Sequence, residues 1–306
     1  MRVAHFFSGN PTSGAASGAL NLCKGLIKEN INIEIFNDQF DFNIKEKKIF
    51  YKKNNLKNFF SIIRNIKDRS SFLSYKKKIK FSNGTVGNLP ISKDEINKFD
   101  ILHLHWINNG FFNIEYLNQI KIPIVWTIRD MWPFTGGCHY TLECQKFINE
   151  CSKCPLIKSY YQNKDIIKSL FYKKKRILSD KKIYIVPISK WLEKQSKKSL
   201  LLKDKNFVQI YNSIDNENFY YEDINESRKF LGLPKNKFII LFGSQNLDDE
   251  LKDNSKIIEI YKKLNNEYFF MSFGNKTSKF NGIKNFGFIK DKKILRKIYS
   301  SANLFI

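Results

Sequence analysis

Short apolar runs alternate with segments of helical period along most of the chain. Val3 to Phe7 is the first run, followed by the small-residue loop Ser8-Gly9-Asn10-Pro11-Thr12-Ser13-Gly14-Ala15-Ala16-Ser17-Gly18. Leu20, Cys23, Leu26 and Ile27 then recur at the spacing of one helix face, and Ile31 to Phe36 alternates as a strand. The opening therefore predicts a β-α-β unit. Ile101 to His105, Ile122 to Thr127 and Ile183 to Pro187 are further short apolar runs, suited to parallel strands buried on both faces. A second alternation begins after Tyr211-Asn212-Ser213-Ile214-Asp215. It predicts a helix over Glu222 to Leu231 stopped by Gly232-Leu233-Pro234, a strand at Phe238 to Phe242 and a helix at Ser255 to Leu264. A strand at Tyr268 to Phe273 and a helix capped by Asp291 and ending near Ala302 complete it.

This order predicts the α/β class with doubly wound parallel sheets, whose ligands sit at the carboxyl ends of the strands. Two units in series are expected, residues 1–210 and residues 211–306. The last segment, Ser301-Ala302-Asn303-Leu304-Phe305-Ile306, stops inside an apolar run, so the second domain is expected to be incomplete at its C-terminus. With 42% apolar and 15% aromatic residues, the chain can build real cores, which excludes a disulfide-stapled miniprotein or a disordered tail.

The formal net charge of +24 points to an anionic partner. Yet only seven of the 53 basic residues are Arg, in a chain rich in Asn and Ile. Biased nucleotide usage gives that composition too, so solvated surface is an equal reading. The charge is concentrated locally: thirteen basic and two acidic residues lie between Lys45 and Lys80. Within that window Leu56, Phe59, Phe60, Ile63 and Ile66 recur at helical steps among Lys57, Arg64, Lys67 and Arg69. A basic amphipathic helix over 56–69 can lie on an anionic membrane surface or pack its stripe on the first domain.

Met1 to Phe7 is too short for a signal core, and no apolar run approaches the ~20 residues that span a bilayer. A cytoplasmic protein is expected, peripheral on the inner membrane face if that helix binds lipid. Nucleic acid is not an expected partner, because the Lys excess lacks the Arg favoured for base readout and the cysteines sit in a Trp/Pro/Gly loop without a finger-like helix.

Val125-Trp126-Thr127-Ile128-Arg129-Asp130-Met131-Trp132-Pro133-Phe134-Thr135-Gly136-Gly137-Cys138-His139-Tyr140 holds the densest chemistry. Arg129 and Asp130 leave a buried strand at its carboxyl edge, where they either meet a ligand or form a surface ion pair. Cys138, Cys144, Cys151 and Cys154 form a C-x5-C-x6-C-x2-C cluster with His139 alongside. Four thiolates around a structural zinc ion, two disulfides, or packed thiols all fit that spacing. Cys23 reads as core. His103 and His105, two apart on a strand, share a face and either line the cleft or are hydrogen-bonded structural residues. Ser189, at a predicted helix start, is a further cleft candidate.

Taken in order, several segments resemble bacterial glycosyltransferase family 4. They are His103-Leu104-His105-Trp106-Ile107-Asn108, the Trp- and Cys-bearing block at 126–155, Ile188-Ser189-Lys190-Trp191-Leu192, Tyr211 to Asp215, and Leu241-Phe242-Gly243-Ser244-Gln245-Asn246-Leu247. The resemblance implies a GT-B fold of two Rossmann-like domains, with the acceptor mainly on the first and a nucleotide-diphosphate sugar on the second. It also implies transfer with retention to a saccharide or lipid-linked acceptor in cell-surface polysaccharide assembly, with no cofactor required for catalysis.

Gly14 and Ala15 match the family's glycine-containing loop, whose N–H groups approach the donor diphosphate at a helix start. Arg129 stands where members often carry a histidine that contacts the donor sugar. An arginine cannot act as a base but can bind phosphate or stabilise developing charge, so Arg129 and Asp130 are the expected catalytic pair. Of the family's diphosphate clamp, the lysine maps to Lys252 and the arginine position to Asn246, while Asp253 replaces a common glycine. The family's paired glutamates would fall beyond Ile306, so a truncated, inactive relative is the alternative reading.

Overall fold

The structure, a computed structural model, describes residues 1–10, 13–37, 57–70, 76–77, 79–158, 165–247, 249, 251, 254–275 and 282–306. It divides into two compact units, Met1–Ser213 and Ile214–Ile306, and the boundary expected between residues 210 and 211 lies beside that division.

In the first unit the elements run β1 (Arg2–Phe6), α1 (Gly14–Lys28), β2 (Asn32–Phe36), α2 (Lys57–Ser70), β3 (Lys76–Lys77), α3 (Lys93–Ile96) and β4 (Ile101–Leu104). They continue with β5 (Ile124–Ile128), β6 (Ile157–Lys158), α4 (Ile166–Ser179), β7 (Ile183–Pro187), α5 (Lys190–Lys198) and β8 (Asn206–Phe207). Six of the strands form one parallel sheet in the order β2-β1-β4-β5-β7-β8, and β3 pairs antiparallel with β6.

Both sheet faces are covered, which is why the strands read as nearly continuous apolar runs. On one face Val3, Phe7, Ile33 and Ile35 meet Ala16, Ala19, Leu20 and Cys23 of α1. The opposite face, with Ala4, Phe6, Leu102, Leu104, Ile124, Trp126 and Ile128, belongs to the larger core. Small residues on α1 bring its backbone close to the sheet, and this fixes where the helix N-terminus stands relative to the strand ends.

Helix α2 occupies most of the basic amphipathic window. Its Asp68 is buried and accepts the Gly84 N–H at 2.7 Å, Arg64 Nε donates to the Gly110 carbonyl, and Arg69 reaches Asn109 Oδ1. Ile66 of the apolar stripe is exposed. Leu56 and the side chains of Lys57, Phe59 and Phe60 lie outside the described residues. Among the described residues, no helix is long and apolar enough to cross a membrane.

The second unit contains α6 (Ile224–Leu231), β9 (Ile239–Asn246), α7 (Asn254–Leu264), β10 (Phe269–Asn275), β11 (Lys284–Asn285), α8 (Lys292–Ser301) and β12 (Leu304–Phe305). Its parallel sheet has the order β11-β10-β9-β12. Asp223 caps α6 by accepting from the N–H groups of Asn225 and Glu226, and Gly232 ends it at φ 62°, a left-handed conformation that glycine adopts without a Cβ clash. Strand β9 runs past the expected end at Phe242 because β10 pairs with it as far as Asn246, through residues too polar to signal a strand.

Arg228 fastens this unit. Its guanidinium is buried and donates to the Ser301 carbonyl at 3.0 Å, the Lys235 carbonyl at 2.6 Å and Asn303 Oδ1 at 2.6 Å, and Asn303 Oδ1 also accepts the Ile239 N–H. Arg228→Ala leaves these acceptors without their charged donor. We expect the second unit to lose about 3 kcal/mol of stability in urea unfolding. An unchanged midpoint would show that the arginine does not fasten α6 to the end of α8.

Candidate active site

Strand β1 leads to β2 on one side, while β4 lies on its other side, so the strand order reverses at β1 and opens a crevice at the carboxyl ends. The chain delivers lining residues to that edge from successive strands: Gly14 and Ala15 after β1, Trp106 after β4, Arg129 and Asp130 after β5, and Ile188 after β7. Together with Lys80, His139, Tyr140 and Asn212 they wall a cavity of about 410 Å³.

Arg129 lies half-buried against α1. Its Nε donates to the Ala15 carbonyl at 3.1 Å, and its Nη1 is buried without a hydrogen-bond partner. A Cβ at Gly18 would come within 3.1 Å of Arg129 Nη2 and 3.2 Å of Asn212 Oδ1, so glycine on this helix face admits the guanidinium. Burial pulls the Arg129 pKa down to about 10, which still leaves it charged at neutral pH. Helix α1 begins without a side-chain cap, because the Ser13 hydroxyl donates to the Asn10 carbonyl, and its first turn carries no acid. An uncapped helix start beside a buried cation favours an anionic ligand.

Asp130 is bound on every side. Its Oδ2 accepts from Trp106 Nε1 at 2.8 Å and His139 Nδ1 at 2.7 Å, and its Oδ1 from the Trp132 N–H at 3.0 Å. Burial pushes the carboxyl pKa up, but the neighbouring His139 and these hydrogen bonds outweigh it and hold the group below the usual carboxylate range. His139 Nε2 stands 3.0 Å from Ser82 Oγ, completing a Ser82–His139–Asp130 chain. Ser82 is buried and is not among the residues walling the cavity, so it orients the imidazole and does not present a nucleophile. Lys80 places its ammonium 4.1 Å from the centre of the Trp106 ring. Desolvation of the ammonium and the nearby Arg69 pull its pKa down to about 8. The wall thus carries two cations and one carboxylate already saturated by donors.

No family model matches the sequence. A stretch of 67 residues is 31% identical to the colanic acid biosynthesis glycosyl transferase WcaC of Escherichia coli K12, covering 20% of this chain and 16% of WcaC. Among solved structures, Anabaena HepE in complex with UDP-glucose aligns over 100% of this chain and 73% of its own at a TM-score of 0.56 and 10% identity. WaaG, a glycosyltransferase involved in lipopolysaccharide biosynthesis, aligns over 100% and 74% at a TM-score of 0.50 and 9% identity. The fold is that of the GT-B glycosyltransferases.

On this GT-B chain the residues singled out from the sequence separate into groups. Gly14, Ala15, Arg129 and Asp130 meet at one cavity. His103 and His105 do not reach it. They share a face as expected, but it is the face that α1 covers, and both are buried in a stack with His5. His5 Nδ1 and His105 Nε2 are 3.1 Å apart, and His103 Nε2 is 2.8 Å from Thr127 Oγ1. Desolvation keeps all three imidazoles neutral, His5 down to about 3 and the other two well below the ordinary value. Their donor atoms lie within 4.8 Å of one another. Rings stacked at 17° and 20° send their in-plane lone pairs side by side, not to one point, so the cluster suits hydrogen-bonded imidazoles better than an ion.

Ser189 is a helix cap: its Oγ accepts the Leu192 N–H at 3.1 Å, and its neighbour Ile188 lines the cavity instead. Asn246 ends β9 in an exposed position of the second unit, and Lys252 lies outside the described residues. The four clustered cysteines line a separate small cavity with free thiols, and burial pushes the Cys138, Cys151 and Cys154 thiols up, Cys151 to about 12.

The sequence reading missed Lys80, Tyr140 and Asn212 as cavity residues and did not connect Trp106 and His139 to Asp130. Lys80 sits in a run of lysines where nothing distinguishes it. The His139–Asp130 bond closes across an irregular loop that no periodicity describes.

Proposed function

We propose that the chain transfers a sugar from a nucleoside-diphosphate donor to a saccharide or lipid-linked acceptor in assembly of a cell-surface polysaccharide. The observation that carries this reading is the Arg129 side chain beside the uncapped start of α1, on the wall of a cavity large enough for a substrate group, on a GT-B fold. The reading is supported by the roles of the similar proteins: WcaC in colanic acid biosynthesis, WaaG in lipopolysaccharide biosynthesis, and HepE bound to UDP-glucose. Arg129 and the first-turn N–H groups at Gly14 and Ala15 take a phosphate-bearing part of a substrate, Lys80 adds a second charge, and Asp130 with His139 holds the Trp106 edge of the cavity in place. Among the described residues on that wall the carboxylate is Asp130, and its engagement by three donors makes it a poor base, which accords with transfer that retains the anomeric configuration.

The charge on Lys80 provides a direct test. The ammonium is present below about pH 8 and lost above it, so affinity for inorganic pyrophosphate, read by calorimetry, is expected to fall as pH rises through 8. Lys80→Gln is expected to bind more weakly and to show no inflection there. An inflection that persists in the variant would place the anion elsewhere.

A further inference from the structure

A second built site lies in the irregular loop that carries His139. Cys138, Cys144, Cys151 and Cys154 all line one cavity of about 10 Å³, walled otherwise mainly by apolar groups such as Phe81, Phe147 and Ile167. That volume is the space of a single small occupant.

The backbone closes tightly around the second pair of cysteines. The Ile157 N–H donates to the Cys154 carbonyl. A Cβ on Gly136 would stand 2.8 Å from Cys151 Cβ and 2.6 Å from Ile167 Cγ2, so glycine lets the loop close on Cys151.

A third observation is electrostatic. Lys174 on α4 is fully buried; its ammonium donates to the carbonyls of Trp132 at 2.6 Å and Thr135 at 3.1 Å and lies 3.5 Å from the centre of the Trp132 ring. Among the described residues it makes no ion pair. Burial pulls its pKa down to about 7, the direction expected of an ammonium with no anion beside it.

We propose that Cys138, Cys144, Cys151 and Cys154 form a structural tetrathiolate site for a divalent thiophilic ion of the zinc class. Loading replaces four S–H bonds by four metal–sulfur bonds and releases four protons to solvent. The site is left with two net negative charges beside the Lys174 ammonium. Among the described residues the imidazole stack is the one group whose donor atoms already stand at metal-binding proximity, so loading must draw the four thiols closer together. The consequence for the active site is positional: Cys138 directly precedes His139, and the Met131 N–H donates to the His139 carbonyl, so fixing the sulfurs fixes the imidazole that holds Asp130. This inference requires nothing of the transfer reaction, and either can fail alone.

The test uses the full chain purified under reducing conditions, with metal content by mass spectrometry and then substitution by Co²⁺. One zinc per chain is expected. The cobalt form is expected to show sulfur-to-cobalt charge-transfer bands and the visible bands of a tetrahedral thiolate complex. Replacing Cys151 and Cys154 by serine should abolish both signals, while Cys23→Ser keeps them. The cobalt spectrum of the unmutated chain decides the matter even if the double variant does not fold. Substoichiometric zinc with no cobalt spectrum overturns the proposal, whether the protein then carries reactive thiols or is four hydrogen masses lighter through two disulfides.

Discussion

Arg129→Gln is expected to lower turnover by about 10²–10³-fold while leaving the unfolding midpoint close to that of the parent chain. The two halves of that expectation come from different contacts. Arg129 Nη1 is a buried donor with no partner in the fold, so its charge is poorly compensated until an anion arrives. Glutamine removes that charge where the substrate's negative group would sit. The fold loses one hydrogen bond, to the Ala15 carbonyl, and is relieved of a half-buried cation, so the two stability effects oppose each other. Steady-state release of nucleoside diphosphate and urea unfolding of the same preparation measure the pair. Equal loss of stability and activity would reduce Arg129 to a structural residue.

Asp130→Ala should behave in the opposite way, with a loss of about 3–5 kcal/mol in stability. The carboxylate is the common acceptor for Trp106 Nε1, His139 Nδ1 and the Trp132 N–H, and alanine strands all three inside a core that also holds Trp126 and Trp132. Asparagine keeps an acceptor for the Trp132 N–H but turns its amide toward both ring donors that share Oδ2, so it should cost less than alanine while still losing those two bonds. The pH dependence carries a sign. The folded carboxyl titrates below its unfolded value, so its contribution is complete above the ordinary aspartate range and is lost as pH falls through the lower, folded pKa. Acid unfolding of the parent chain should therefore steepen below the ordinary aspartate range, and Asp130→Asn should lack that component. A parent and variant that respond alike to acid would mean that the carboxylate is not held by these donors.

The strands were legible in the sequence because both faces of each sheet are covered: Val3 to Phe7 and Ile183 to Pro187 announce themselves by apolarity alone. Helix α8 was legible behind its cap Asp291, and α6 through the Gly232-Leu233-Pro234 stop, whereas the Asp223 cap of α6 was not read. The end of β9 was not, since its last residues are polar and are strand only by pairing with β10. At the site, Arg129 and Asp130 stood out because they directly follow a buried strand. Their partners did not, because Lys80 sits among other lysines and Asn212 in a segment marked only by resemblance, and both reach the cavity through tertiary packing. The histidines show the limit most plainly. Parity placed His103 and His105 on one face correctly, but only the packing of α1 decides that this face is closed.

The central claim is that an anion-accepting cavity at the start of α1 serves sugar transfer from a nucleoside diphosphate. It is tested most directly by release of nucleoside diphosphate from a panel of UDP-, GDP- and dTDP-sugars, comparing the parent chain with Arg129→Gln and with Lys198→Ala, an exposed lysine outside the site. The account predicts release from at least one donor, lost in Arg129→Gln and retained in Lys198→Ala. No release from any donor, or equal release by the parent and Arg129→Gln, would contradict it.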